Sequence, residues 1–107
     1  MASIVIAQTT VDDEAKAYEI GRAAVEARLA AGVHIDARMT VFYWSKDAVQ
    51  HEREYRLSFK ATAEKAGALR AWVHERHPHE VPQWIVLPAT EATEEYLAWV
   101  VKETRTQ

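Results

Sequence analysis

The chain predicts an α+β fold in which helices cover one side of an antiparallel sheet, and three features carry the prediction. Its hydrophobic patterns run strand, helix, strand, strand, helix, strand, and then a last helix. The two middle strands are separated only by Ser45-Lys46-Asp47-Ala48, so they form a long hairpin. Trp84-Ile85-Val86-Leu87 is a short apolar run held between Pro82 and Pro88, the length of a strand rather than a helix. This order is the ferredoxin-like βαββαβ arrangement, here with an extended hairpin between the second and third strands and an extra C-terminal helix.

The elements follow in order. Ser3 to Thr9 is a β-branched run, and Thr10-Val11-Asp12-Asp13-Glu14 brings the capping side chains and acids that suit a helix start. From Ala15 to Ala31, Ala17, Ile20, Gly21, Ala24, Val25, Arg28 and Leu29 recur at helical spacing, with Arg28 expected along the edge of that stripe. Gly32 is expected to end the helix in a left-handed conformation. Val33 to Trp44 alternates as one strand. The returning strand carries Tyr55, Leu57 and Phe59 on one side and Glu54, Arg56, Ser58 and Lys60 on the other. Thr62 is expected to cap a second helix bearing Ala66, Leu69, Trp72, Val73 and Arg76, which Pro78 closes by barring the helical conformation at His77. Thr93-Glu94-Glu95 caps the last helix, with Tyr96, Leu97, Val100 and Val101 on its apolar face.

At 107 residues the chain has the size of one domain, taken as residues 1–107, and its 49% hydrophobic and 27% charged composition is that of a folded protein. A net charge of −3 argues against nucleic acid, whose phosphates reward a strongly basic surface. Arg53, Arg56 and Lys60 are interleaved with Glu52 and Glu54, which reads as a solvated strand face. With no cysteine, neither disulfides nor thiolate metal sites arise, so a metal would bind through nitrogen and oxygen. The N-terminus lacks the charged start and apolar length of a signal peptide, and no segment nears the roughly 20 apolar residues of a membrane span. A cytoplasmic protein with no membrane partner is the expectation.

The alternation fails in two strands. Ile4 and Ile6 oppose Val5 and Ala7, and Trp84 and Val86 oppose Ile85 and Leu87, so both faces of each strand are expected to be buried. Phe42, Tyr43 and Trp44 load the hairpin with aromatic surface. Two packings account for this. One is a homo-oligomer that buries the open faces and the hairpin around a closed symmetry axis; the other folds the last helix over the open face and gathers the aromatics locally.

Thr9-Thr10, Arg28-Leu29-Ala30-Ala31, Tyr43-Trp44, Lys60, His77-Pro78-His79-Glu80-Val81-Pro82, Ile85-Val86-Leu87-Pro88 and Tyr96-Leu97-Ala98-Trp99 stand in one register across residues 4 to 104. In these residues the chain resembles the CutA divalent-cation-tolerance family. The resemblance implies a tight homotrimer associated with tolerance of copper and other divalent cations, and an architecture similar to trimeric PII signalling proteins. The chain departs from that pattern at four places: Gly32 where a cysteine is frequent, His34 where an asparagine is frequent, Asp47 where a turn glycine is frequent, and Gln83 where a glutamate is frequent. Without the sulfur, imidazole and carboxylate donors favour Cu(II), Zn(II) or Ni(II) over Cu(I).

His77, His79, Glu80 and His34 are the candidate metal ligands, His77 and His79 with Glu80 because imidazole and carboxylate donors crowd within a few residues, alongside His74. A histidine near a helix end also complements the helix dipole, so a capping or interface role competes with ligation there. His34 shares a strand face with Asp36 and Arg38, where a surface role competes in the same way. Tyr43, Trp44 and Lys60 are candidates for a cleft or interface, with Glu80 a possible ion-pair partner for Lys60. No nucleophile-base arrangement and no phosphate-binding glycine loop occurs, so an enzyme is not expected. Three functions fit: a divalent-cation protein with Cu or Zn as ligand, a PII-like signalling or scaffold trimer with a small ligand or protein in its clefts, and a small cofactor-free acid-base enzyme.

Overall fold

The computed structural model describes residues 3–105. Five strands and three helices follow the expected order: β1 (Ile4–Val11), α1 (Glu14–Glu26), β2 (Gly32–Ile35), β3 (Met39–Ser45), β4 (Ala48–Thr62), α2 (Ala66–Arg76), β5 (Ile85–Pro88) and α3 (Glu94–Glu103). The sheet runs β2-β4-β1-β5, with β3 attached to β4 alone, and every pairing is antiparallel. No described helix is long and apolar enough to cross a membrane.

β4 is the organising strand. Its C-terminal half pairs with β1 on one side, from Val11↔Tyr55 to Ile4↔Thr62, and with β2 on the other, from Ile35↔Leu57 to Gly32↔Lys60. Its N-terminal half pairs only with β3, from Met39↔Glu54 to Ser45↔Ala48, so the two form an arm that outruns the sheet and stretches the molecule to 45 × 26 × 23 Å. Lys46 and Asp47 turn the arm with φ of 53° and 62°, the two positive values a type I′ hairpin needs.

The single strand expected over Val33–Trp44 is in fact two. Three residues, Asp36 to Arg38, separate Ile35 from Met39, whereas only Tyr55 and Arg56 separate their partners Leu57 and Glu54. One extra residue makes a β-bulge, and because side chains alternate with period two, it inverts the face presented on either side. The polar face shared by His34 and Asp36 therefore does not continue through Arg38, as uninterrupted alternation had implied.

Helix ends hold two further corrections. α1 stops at Glu26, not near Ala31, and Gly32 begins β2. The left-handed residue is Arg28, with φ of 64°; its N–H donates to the Val25 carbonyl at 3.0 Å and that of Leu29 to Ala24 at 3.1 Å, a Schellman closure. Arg28 accordingly leaves the helix stripe and reaches α3, where Nη1 meets Glu103 Oε2 at 3.0 Å. Thr62 precedes a 3₁₀ turn over Ala63–Lys65 and makes no capping side-chain bond. The other caps are as expected: Asp13 accepts from Lys16 N at 3.2 Å, Thr93 from Tyr96 N at 3.2 Å, and α2 ends at Arg76 before Pro78.

The core lies between α1, α2 and the sheet, with Ala7, Val11, Ile20, Phe59, Leu69 and Val73 fully enclosed. Gly21 lets α1 approach β2, since a Cβ there would meet Val33 Cγ1 at 3.3 Å. A smaller cluster on the opposite face joins Ile4 and Ala31 to Val100 of α3. The last helix thus covers one end of the open face, while β5 exposes Ile85, Val86 and Leu87 on an edge that no other strand among the described residues pairs with. In the chain by itself β1 is enclosed for most of its length, but β5 is not.

Candidate functional site

Pro78 forces His77 out of α2 into an extended conformation (φ −74°, ψ 134°), which carries its ring against the end of β1. There the ring is buried and both nitrogens are engaged. Nε2–H donates to the Thr10 carbonyl at 2.8 Å, and Nδ1 accepts the His79 backbone N–H at 3.1 Å. Burial holds the His77 pKa below the usual histidine value; the Thr10 carbonyl opposes this, His79 and His74 add to it, and Asp12 opposes it. His77 is therefore a neutral bracket between α2, β1 and the following loop.

That bracket aims His79. Its ring stacks obliquely on His77 with centroids 4.8 Å apart, and its Nε2 lies 3.9 Å from Asp12 Oδ1. A second tie, Thr9 Oγ1–H to the Gln83 carbonyl at 2.6 Å, fixes the far end of the loop to β1. The loop thus forms one wall of a cleft of about 820 Å³ whose other wall is the hairpin arm. Asp12 and His79 stand on one side; Tyr43, Glu52, Glu54 and Arg56 stand on the other. Tyr43 donates its hydroxyl hydrogen to Glu52 at 3.3 Å.

The structure brings together only part of the expected set. His77 and His79 meet, joined by Asp12, while Glu80 is exposed on the same loop and forms no ion pair with either histidine among the described residues. His34 lies elsewhere, on the open sheet face, with its Nδ1 3.1 Å from Lys60 Nζ. No ion pair joins Lys60 to Glu80 among the described residues. Tyr43 lines the cleft, whereas Trp44 projects away, 76% exposed. Among the described residues no group of three or more histidine and acidic side chains is arranged to hold a metal ion.

Sequence reasoning assigned Asp12 to helix capping and Glu52 and Glu54 to a solvated strand face. The hairpin register sets both glutamates on β4, opposite Met39 and Val41 of β3, but their meeting with Asp12 depends on how the arm lies over the end of β1.

A family model described as CutA1 divalent ion tolerance protein matches residues 5–103. The chain belongs to that family. It is 35% identical to Protein CutA of Mus musculus over 102 residues, covering 95% of this chain and 58% of the mouse protein. It is 27% identical to the divalent-cation tolerance protein CutA of Yersinia pestis (strain Pestoides F), covering 92% of this chain and 83% of that protein. Among solved structures, CutA from Synechococcus elongatus PCC7942 superposes with a TM-score of 0.93 at 33% identity, covering 98% and 93% of the two chains. CutA1 from Ehrlichia chaffeensis reaches 0.95 at 24% identity, covering 99% of each chain, which bears on the fold alone. Over nearly its whole length the fold is thus that of a CutA-type subunit.

Proposed function

We propose that the chain works as a homotrimer in divalent-cation tolerance, copper above all, and that cations meet it in the cleft beside His79 and Asp12. The family match gives the process, and the observation that carries the site is the His79 Nε2 and Asp12 Oδ1 pair, 3.9 Å apart on a cleft wall facing two glutamates. Imidazole and carboxylate are donors suited to Cu(II) and Zn(II). Two donors from one chain are fewer than such ions take. In this reading the remainder come from water, from the Glu52–Glu54 wall, or from Glu80 of a neighbouring copy. His77 enters as the residue that positions His79, since both of its nitrogens are already bonded.

The trimer is supported by what one chain leaves uncovered. β5 offers three apolar side chains and a backbone edge left unpaired among the described residues, and the arm carries Phe42 at 71% and Trp44 at 76% exposure. Such edges and patches are usually protected by association. The reading is of a binding protein in the cytoplasm rather than an enzyme. Native mass spectrometry should give three copies of the 12.2 kDa chain. Calorimetric titration with Cu(II) should lose most of its heat in His79→Ala and in Asp12→Asn. A monomer at micromolar concentration removes the trimer, and unchanged heat in both variants removes the site.

A second reading rests on the cleft's size. At about 820 Å³ it admits a small organic ligand, and a solved structure of Synechococcus elongatus CutA, 34% identical, is complexed with a Bis-Tris molecule. A PII-like ligand-binding role would appear as thermal stabilisation by organic amines that EDTA does not abolish.

A further inference from the structure

A different set of polar side chains lies on the sheet face turned away from α1 and α2. Strand register sets Gly32, Lys60, Ile6 and Leu87 side by side in one row across this face, and His34, Ser58, Gln8 and Ile85 in the next. Lys60 therefore has the smallest residue on one flank and an aliphatic one on the other. α3 closes the row, because Trp99 Cη2 lies 3.6 Å from where a Cβ on Gly32 would stand. Lys60 is partly buried in this setting, and burial lowers its pKa while the Asp36 carboxylate works the other way.

The neighbouring polar groups are already matched with one another. Gln8 Nε2–H donates to Ser58 Oγ at 3.2 Å, and Arg56 Nη1 pairs with Asp36 Oδ2 at 3.2 Å. Lys60 has no carboxylate within ion-pair distance among the described residues; its hydrogen-bond partner is His34 Nδ1 at 3.1 Å. The ammonium can only donate, so Nδ1 accepts and the imidazole carries its hydrogen on Nε2. An amine in partly apolar surroundings, bonded to a base, is how a lysine becomes nucleophilic.

We propose that Lys60 and His34 form a carbonyl-capture site, in which Lys60 Nζ condenses with a small aldehyde whose apolar body rests over Gly32 against Trp99. His34 Nδ1 takes a proton from the ammonium and frees the nitrogen lone pair. The C–N bond forms as the carbonyl π pair moves onto oxygen, which is protonated by the imidazolium. His34 then removes a second proton from nitrogen and returns it to the hydroxyl. The C–O bond breaks, water leaves with that electron pair, and the nitrogen lone pair makes the C=N bond. An ammonium and an aldehyde become an iminium and one water, with no oxidation or reduction. The same imidazole serves as base and acid, as carbinolamine formation and dehydration require.

The test uses the full-length protein in its native assembly, incubated with limiting propionaldehyde and sodium cyanoborohydride, which traps the iminium as a stable propyl-lysine. Peptide mass spectrometry then ranks the lysines. Lys60 should be alkylated about 10-fold or more faster than Lys16, Lys46, Lys65 and Lys102, and His34→Asn should slow Lys60 about 5-fold or more without changing the others, modest values for one acid-base group. Lys60→Arg should abolish the selective event. A Lys60 no faster than the other lysines overturns the proposal, and this ranking needs no variant to fold. An unchanged Lys60 rate in His34→Asn would leave the histidine without its role and overturn the paired site.

Discussion

The two halves of β4 share one strand and meet opposite fates. From Tyr55 to Thr62 it is flanked by β1 and β2 and roofed by α1 and α2, and Leu57, Phe59 and Ala61 are enclosed. From Ala48 to Glu54 it has β3 alone, and Val49, with Phe42 and Trp44 across the hairpin, stands in solvent. The inner half is completed by its own chain. The outer half carries apolar area that none of the described residues covers, so in the proposed trimer the same residue class does different work in each: cohesion inside, association outside.

Substitution at matched aromatics sharpens that contrast most. Phe59→Ala should cost about 3–5 kcal/mol, because an enclosed ring loses both its transfer energy and its packing partners. Trp44→Ala should change the stability of a dissociated chain by no more than about 0.5 kcal/mol, the range of exposed sites. Its effect should instead depend on protein concentration, appearing as weaker assembly on dilution. Urea unfolding of both variants at two concentrations separates the cases. A loss of several kcal/mol for Trp44→Ala that ignores concentration would mean that the arm packs on its own subunit.

The joint between core and loop should respond to pH. His77 has a lowered native pKa, so the unfolded chain, with histidine near 6.5, binds more protons than the native one as pH falls. The stabilisation is complete above about pH 6.5 and declines as acidification passes that value toward the lower native pKa. His74, His79 and Asp12 share this environment, so His77→Asn isolates the contribution. Denaturation midpoints between pH 7.5 and 5.5 should fall more steeply for the parent than for the variant, which should itself be about 1–3 kcal/mol less stable at neutral pH because the buried bonding to Thr10 is disturbed. Parallel pH profiles would show that His77 is not the group protonated.

How much of this was legible follows from the range of the interactions involved. Element order and most caps were readable because alternation, helical spacing, proline and Asp or Thr caps act within a few residues. The bulge at Asp36–Arg38 was not, since it is defined by a residue count on the partner strand. The same reason hid the functional groupings. Asp12 looked like a capping acid until the His77 bracket turned His79 toward it, and Lys60 was matched with Glu80 until the β2–β4 register set it beside His34. The histidine-proline segment announced that something was held there, but not that one ring holds and the other faces the cleft.

Arg28 is the smallest and cleanest case of this limit, because glycine preference pointed to Gly32 while the chain turned left-handed four residues earlier. A non-glycine residue at φ 64° costs about 1–2 kcal/mol, which the Arg28–Glu103 pair offsets by at most about 1 kcal/mol for partly exposed partners. The two terms can be taken apart. Arg28→Ala keeps the backbone cost and loses the pair, so it should be destabilised by about 0.5–1 kcal/mol. Arg28→Gly loses the pair but also the cost, so it should sit about 1 kcal/mol above the alanine variant and close to the parent. Chemical denaturation of the three proteins reads the difference directly. Equal stabilities for the glycine and alanine variants would mean that the turn carries no conformational cost, and that the tie to α3 alone decides which residue stands there.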